Sequence, residues 1–145
     1  MKISLGADHR GYELKGKIKK YLTQLGHEMT DFGTNSTESV DYPDFGFKVA
    51  ESVARGEADF GVVVCLTGNG MNIVANKVKG VRSALCLNEE MAMLTRAHNN
   101  ANVLALASNF VSEEMAKKIL DVWLATDFEG GRHKPRVDKI NNYQP

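Results

Sequence analysis

Phe60-Gly61-Val62-Val63-Val64-Cys65-Leu66-Thr67-Gly68-Asn69-Gly70 is the stretch that decides the fold. Its first half is a continuous apolar run rather than an alternating one, the pattern of a strand buried on both faces of a parallel sheet. Its second half is a turn punctuated by glycines, after which Asn69–Val78 carries a helical pattern. Strand, turn and helix in that order make one half of a βαβ unit.

Outward from this stretch, further strands are predicted at Lys2–Gly6, His27–Phe32, Arg82–Leu87 and Asn102–Ala107. Amphipathic stretches lie between them. Leu14, Ile18, Tyr21, Leu22 and Leu25 form one apolar stripe, with lysines expected on the opposite face and Gly26 as the stop. Ala116, Ile119, Leu120, Trp123 and Leu124 form another, and weaker helical patterns cover Asp44–Arg55, Asn88–Ala97 and a short segment after Pro135. Strand–helix alternation implies right-handed crossovers and a three-layer α/β/α sandwich, Rossmann-like, with a five-stranded parallel sheet. No repeat, low-complexity tract or linker interrupts the pattern, so residues 1–145 read as a single domain.

A domain of 145 residues buries a substantial core. Its formal net charge is +0, so no global field draws it to nucleic acid or to an anionic membrane, and an anionic ligand needs a local cluster of charge. The apolar run at the N-terminus ends in Asp8 and His9 and is too short for a signal peptide or a membrane span. Two cysteines make no disulfide framework, and the cytoplasm is the expected compartment.

Ligands in such sheets bind where the carboxyl ends of strands lead into helix N-termini. Asp8-His9-Arg10-Gly11 follow the first strand, Cys65 to Gly70 the third, and Ser108-Asn109 the fifth. Arg96-Ala97-His98-Asn99-Asn100 and Gly130-Gly131-Arg132-His133-Lys134-Pro135-Arg136 complete the polar set, and all are expected on one rim. Thr67-Gly68-Asn69-Gly70 can point successive N–H groups at a phosphate or a developing oxyanion. It equally reads as a plain tight turn; it is neither a P-loop nor a dinucleotide fingerprint.

Cys65 is a candidate base. A free thiol titrates near ~8.5, and a helix N-terminus or nearby cations can lower that value. The alternative is a small buried hydrophobe, the reading given to Cys86 in the middle of its strand. His98 lies in a polar group too dense for a core, although Asn and His also suit the last turn of a helix. His27 reads as an exposed strand start. Asp8, His9, Cys65 and His98 are all metal-ligand types but lack the close spacings of usual zinc sites, so no metal is expected. Arg132, His133, Lys134 and Arg136 have no interleaved aromatics; a single phosphate suits them better than nucleic acid. Cations at a helix N-terminus oppose its macrodipole, which again calls for an anion there.

Gly6-Ala7-Asp8-His9, Asp41-Tyr42-Pro43-Asp44, Ala75-Asn76-Lys77, Arg96-Ala97-His98-Asn99-Asn100-Ala101-Asn102 and Gly130-Gly131-Arg132-His133, in this order, resemble the motifs of ribose-5-phosphate isomerase B. The wider family also holds galactose-6-phosphate and allose-6-phosphate isomerases, and the similarity runs from Met1 to about Ile140. The resemblance implies a homodimer or tetramer with active sites shared between subunits, and no cofactor or metal. Family members carry the base as Cys at the position of Cys65 or as Glu at that of Met71, so this chain is similar to the cysteine type.

By the same resemblance Cys65 moves a proton between two carbons through a cis-enediolate. Thr67 and the amides of Gly68, Asn69 and Gly70 hold the enediolate oxygen, and His98 with Asp8 opens the furanose ring. His9, Arg132 and Arg136 grip the phosphate, and Asn99 contacts a sugar hydroxyl. Two positions depart from the family: Leu66 stands where glycine is usual, and Asn109 where an arginine contacts phosphate. Losing such a charge-assisted bond is worth roughly 1.5–3 kcal/mol. The expected activity is therefore ribose 5-phosphate isomerisation in the pentose phosphate pathway. A hexose 6-phosphate isomerase and a non-catalytic sugar-phosphate or nucleotide-binding module are the alternatives.

Overall fold

The computed structural model describes residues 1–145. Strands β1 (Lys2–Ala7), β2 (Glu28–Asp31), β3 (Phe60–Cys65), β4 (Ser83–Leu85) and β5 (Val103–Ala107) alternate with helices α1 (Tyr12–Gln24), α2 (Tyr42–Ala54), α3 (Asn69–Asn76), α4 (Glu89–Asn99) and α5 (Glu113–Ala125). A short 3-10 turn, Gly131–His133, leads into α6 (Lys134–Asn141). The sheet is five-stranded in the order β2-β1-β3-β5-β4, with every pairing parallel. The chain reverses direction across the sheet between β1 and β3, the usual place for a ligand crevice in open α/β sheets.

Residue type decides which strands lie inside. The central strands β3 and β5 are the two continuous apolar runs and are buried almost throughout, whereas Glu28-Met29-Thr30-Asp31 forms the half-exposed edge. Alternate β3 residues feed two cores. Val62 and Val64 pack with Ile18, Leu22, Ile119, Leu120 and Trp123 beneath α1 and α5. Val63 and Cys65 pack with Val49, Ala50, Met71 and Ala75 beneath α2 and α3. Covering both faces of a parallel sheet is what removes its apolar side chains from water.

Helix ends follow local chemistry. The Asn88 side chain accepts from the Met91 N–H at 2.9 Å and Ser112 from the Met115 N–H at 3.0 Å, capping α4 and α5. Asn100 ends α4 in the left-handed region at φ 47, and Gly26 follows α1 at φ 92.

Three expectations need correction. Lys15 does not lie on the solvent face of α1: it is 2% exposed, with Nζ 2.7 Å from Asp31 Oδ1 and 2.6 Å from the Thr34 carbonyl. A buried ammonium is tolerated because both partners satisfy it. Cys86 is not mid-strand but just past the end of β4, still fully buried. Burial pushes its thiol up to about 12. His27 is half-buried, with Nδ1 3.2 Å from the N-terminal amine.

Candidate active site

The carboxyl ends of β1 and β3 carry the first group of candidate residues. Asp8 is buried, and its Oδ1 accepts the N–H groups of Arg10 and Gly11, each at 3.0 Å, which locks the turn into α1. His9 Nδ1 accepts the Val40 N–H at 3.2 Å, so its other ring nitrogen is the one able to donate. Cys65 ends β3 with only 5% exposure, and that remnant opens into a cavity of about 370 Å³. Asp8, Tyr42, Leu66, Thr67, Gly70 and Ile73 are among the residues lining it.

Gly68 holds the turn beside the thiol in the left-handed region at φ 73. A Cβ there would lie 2.5 Å from Leu85 Cδ1 and 3.1 Å from the Leu106 carbonyl oxygen, so only glycine fits. A Cβ on Gly70 would meet the Tyr42 ring at 2.8 Å. The opening N–H groups of a helix have no intrahelical acceptor. Thr67 Oγ1 takes the Asn69 N–H at 3.2 Å, and no loop carbonyl takes those of Gly68 or Gly70. Two of the three amides expected to face an oxyanion therefore remain unengaged.

Tyr42 was missed as a site residue. Its signal was Tyr42-Pro43, since proline in the first turn marks the start of α2 and sets Tyr42 on the carboxyl rim. Leu66 and Asn109 lie together: the Asn109 N–H donates to the Leu66 carbonyl at 3.0 Å, and both line a neighbouring cavity of about 330 Å³ with Arg10 and Lys17. Leu66 borders both cavities and walls one from the other. Met71, at the family's alternative base position, is fully buried in the core.

The remaining candidates lie elsewhere, and the expected single rim is replaced by two. In a βαβ unit the helix runs back against its strand. The last turn of α4, which bears His98 and Asn99, is therefore at the amino rim, as is the segment after α5 bearing Arg132 and Arg136. At roughly 3.3 Å per residue the length of β3 sets the rims about 17 Å apart. Bonds confirm the grouping: the Glu129 N–H donates to the Ala97 carbonyl at 3.0 Å, and Arg82 at the start of β4 reaches Asn141 Oδ1 at 2.7 Å. Asn99 is exposed beside a separate cavity with Asn76, Arg82 and Thr95.

On the amino rim the His98 ring stacks on that of His133, with centroids 4.2 Å apart and planes at 14°. Glu129 Oε2 lies 3.5 Å from His133 Nε2. Burial lowers the His133 pKa, and the neighbouring His98, Arg132 and Arg136 lower it further against the pull of Glu129. Arg132 and Arg136 are exposed without a carboxylate partner, whereas Lys134 is held by Asp138 at 2.7 Å. Of the metal-ligand types weighed in the sequence, only His98 joins a ligand-like trio, with Glu129 and His133, whose donor atoms lie within 4.8 Å of one another. The flanking arginines make that place better suited to an anion than to a cation.

One rim thus offers a thiol beside unpaired amides, and the other offers imidazoles and free guanidiniums. Together they meet the needs of proton transfer next to a carbonyl in an anionic substrate; apart, neither does. Known proteins place the chain accordingly. The family profile described as Ribose/Galactose Isomerase matches residues 3–140. Ribose-5-phosphate isomerase B of Escherichia coli is 47% identical over 139 residues, covering 96% of this chain and 93% of that protein. The Clostridium thermocellum ribose-5-phosphate isomerase B structure superposes with a TM-score of 0.96 at 54% identity, covering 97% of this chain and 95% of that one. The Mycoplasma genitalium ribose-5-phosphate isomerase B structure, with bound ribulose-5-phosphate, gives 0.95 at 44%, covering 98% and 95%. With a profile matched almost end to end and both rims present, the chain belongs to the ribose/galactose isomerase family.

Proposed function

We propose that this protein interconverts ribose 5-phosphate and ribulose 5-phosphate through a cis-enediolate. The observation that carries the reading is the Cys65 thiol, opening onto the turn whose Gly68 and Gly70 amides are unengaged. Support also comes from the relatives named for this reaction and from the ribulose-5-phosphate bound in one of them.

In the forward direction Cys65 takes the proton from C2 of the open-chain aldose, and the electron pair moves onto the carbonyl oxygen. The Thr67 hydroxyl and the free amides stabilise that oxyanion. The thiol then returns the proton to C1 while the proton of the C2 hydroxyl passes to the C1 oxygen, leaving a carbonyl at C2 and giving the ketose. The step balances as an internal proton shift and draws on no cofactor. His98 and Asp8 open the furanose ring beforehand. His9, Arg132 and Arg136 hold the phosphate, and Asn99 orients a sugar hydroxyl.

Because these roles are split between rims, the working unit in this reading is a homodimer in which the carboxyl rim of one protomer faces the amino rim of its partner. Exposed Tyr42, Leu66 and Ile73 around the Cys65 cavity supply apolar surface for such a contact. The reading places the enzyme in the cytoplasm, in keeping with two free cysteines, and in the pentose phosphate pathway.

Steady-state isomerisation of ribose 5-phosphate beside allose 6-phosphate and galactose 6-phosphate tests it. A preference for the pentose is expected. A preference for a hexose would reassign the substrate to the pocket bordered by Leu66 and Asn109, and no turnover of any of the three would overturn the isomerase reading.

A further inference from the structure

His98 sits half-exposed in the last turn of α4, where the broad torsion at the end of its side chain leaves the ring free to swing. Proton transfer to a ring oxygen needs a defined imidazole plane. The structure supplies one from outside the helix. His133, in the turn before α6, lies nearly parallel to His98, and the loop that carries it is tied to α4 by the Glu129–Ala97 bond.

His133 is a poor choice for packing alone. It is 7% exposed, and its Nε2 is buried without a hydrogen-bond partner, facing Glu129 Oε2 at 3.5 Å. An apolar side chain of similar volume would leave no such atom unsatisfied. The surroundings of His133 also lower its pKa, and its ring lies nearly parallel to that of His98, with planes at 14°.

We propose that His133 is a positioning residue for ring opening: its flat ring, stacked on His98 with centroids 4.2 Å apart, fixes the plane of the His98 imidazole. This rests on the ring-opening role given to His98 above.

The test separates ring opening from enediolate chemistry. Ribulose 5-phosphate is acyclic, so exchange of its C1 hydrogen with D2O, followed by NMR, reports the Cys65 step without any ring to open. Conversion of ribose 5-phosphate needs both steps. His133→Leu fills the volume without a flat ring, and His133→Phe keeps a flat ring without the nitrogens. The Leu variant is expected to lose ribose 5-phosphate turnover by about tenfold or more while exchange stays within about threefold. The Phe variant is expected to keep both rates within about threefold of the parent. Equal loss of both rates in the Leu variant, unchanged turnover in it, or a Phe variant as impaired as the Leu variant would overturn the proposal. A parent enzyme inert in both assays would instead strike down the isomerase reading.

Discussion

The two rims of the sheet are built on opposite plans. At the carboxyl rim the chemistry is set in the backbone: a left-handed glycine, a buried thiol and a carboxylate locked by two N–H groups leave little freedom. At the amino rim it is carried by side chains, two stacked imidazoles and two unpaired arginines at the surface. The first plan suits the reacting atoms, where small displacements cost rate. The second suits a phosphate, whose charge tolerates a looser grip. The two sets lie about 17 Å apart within one chain, and in the homodimer proposed above pairing with another copy would bring them together.

The division of labour breaks first at Cys65. Replacing it with alanine is expected to lower kcat by about 10³-fold, the usual worth of a positioned base, while ligand binding persists. Retained turnover would show that another group moves the proton. Sharing between copies is then testable by mixing. Cys65→Ala and His98→Ala are each expected to be inactive, but hybrids of the proposed dimer would contain one site with both rims intact, so about a quarter of the parent activity should return after subunit exchange. Failure to recover any activity, with exchange verified by mass, would mean that the rims do not meet across protomers.

Arg136→Ala probes the looser grip. Removing one charge-assisted contact should raise KM about tenfold and leave kcat nearly unchanged. A fall in kcat alone would move Arg136 from binding to chemistry.

The smallest effect concerns what stiffens the carboxyl rim. Burial alone would raise the Asp31 carboxyl, but Lys15, the Gly33 N–H and Lys19 outweigh it and hold it below the ordinary carboxylate value. A carboxyl depressed in the folded state contributes stability above its unfolded pKa and loses it as pH falls through the folded value. Thermal melts should therefore show the parent losing more stability than Asp31→Asn as pH drops below about 4. Parallel curves would show that this pair does not set the acid limit.

Much of this was legible in the residues. The continuous runs Val62-Val63-Val64 and Val103-Leu104-Ala105-Leu106 mark the central strands, because only strands covered on both faces need no polar alternation. Gly68 and Gly70 mark the turn, because glycine is the residue that tolerates a sharp strand-to-helix reversal. Cys65 and Cys86 look alike in sequence, each inside an apolar run. Their difference lies in what surrounds them: one opens to a cavity, and the other sits in the core with its thiol pushed up to about 12. Lys15 likewise reads as a surface lysine until Asp31 and the Thr34 carbonyl are found beside it.

By itself the sequence determined the layers, the parallel sheet, the turn beside Cys65 and the kinds of residue available for the chemistry. These depend on local periodicity and on backbone sterics, which act within a few residues. Tertiary structure alone decided that the candidates divide between two rims, that His98 meets His133, and that Tyr42 joins Cys65. Those outcomes follow from the antiparallel return of each helix against its strand and from contacts between elements far apart in the chain, and such contacts leave no mark in the spacing of residues.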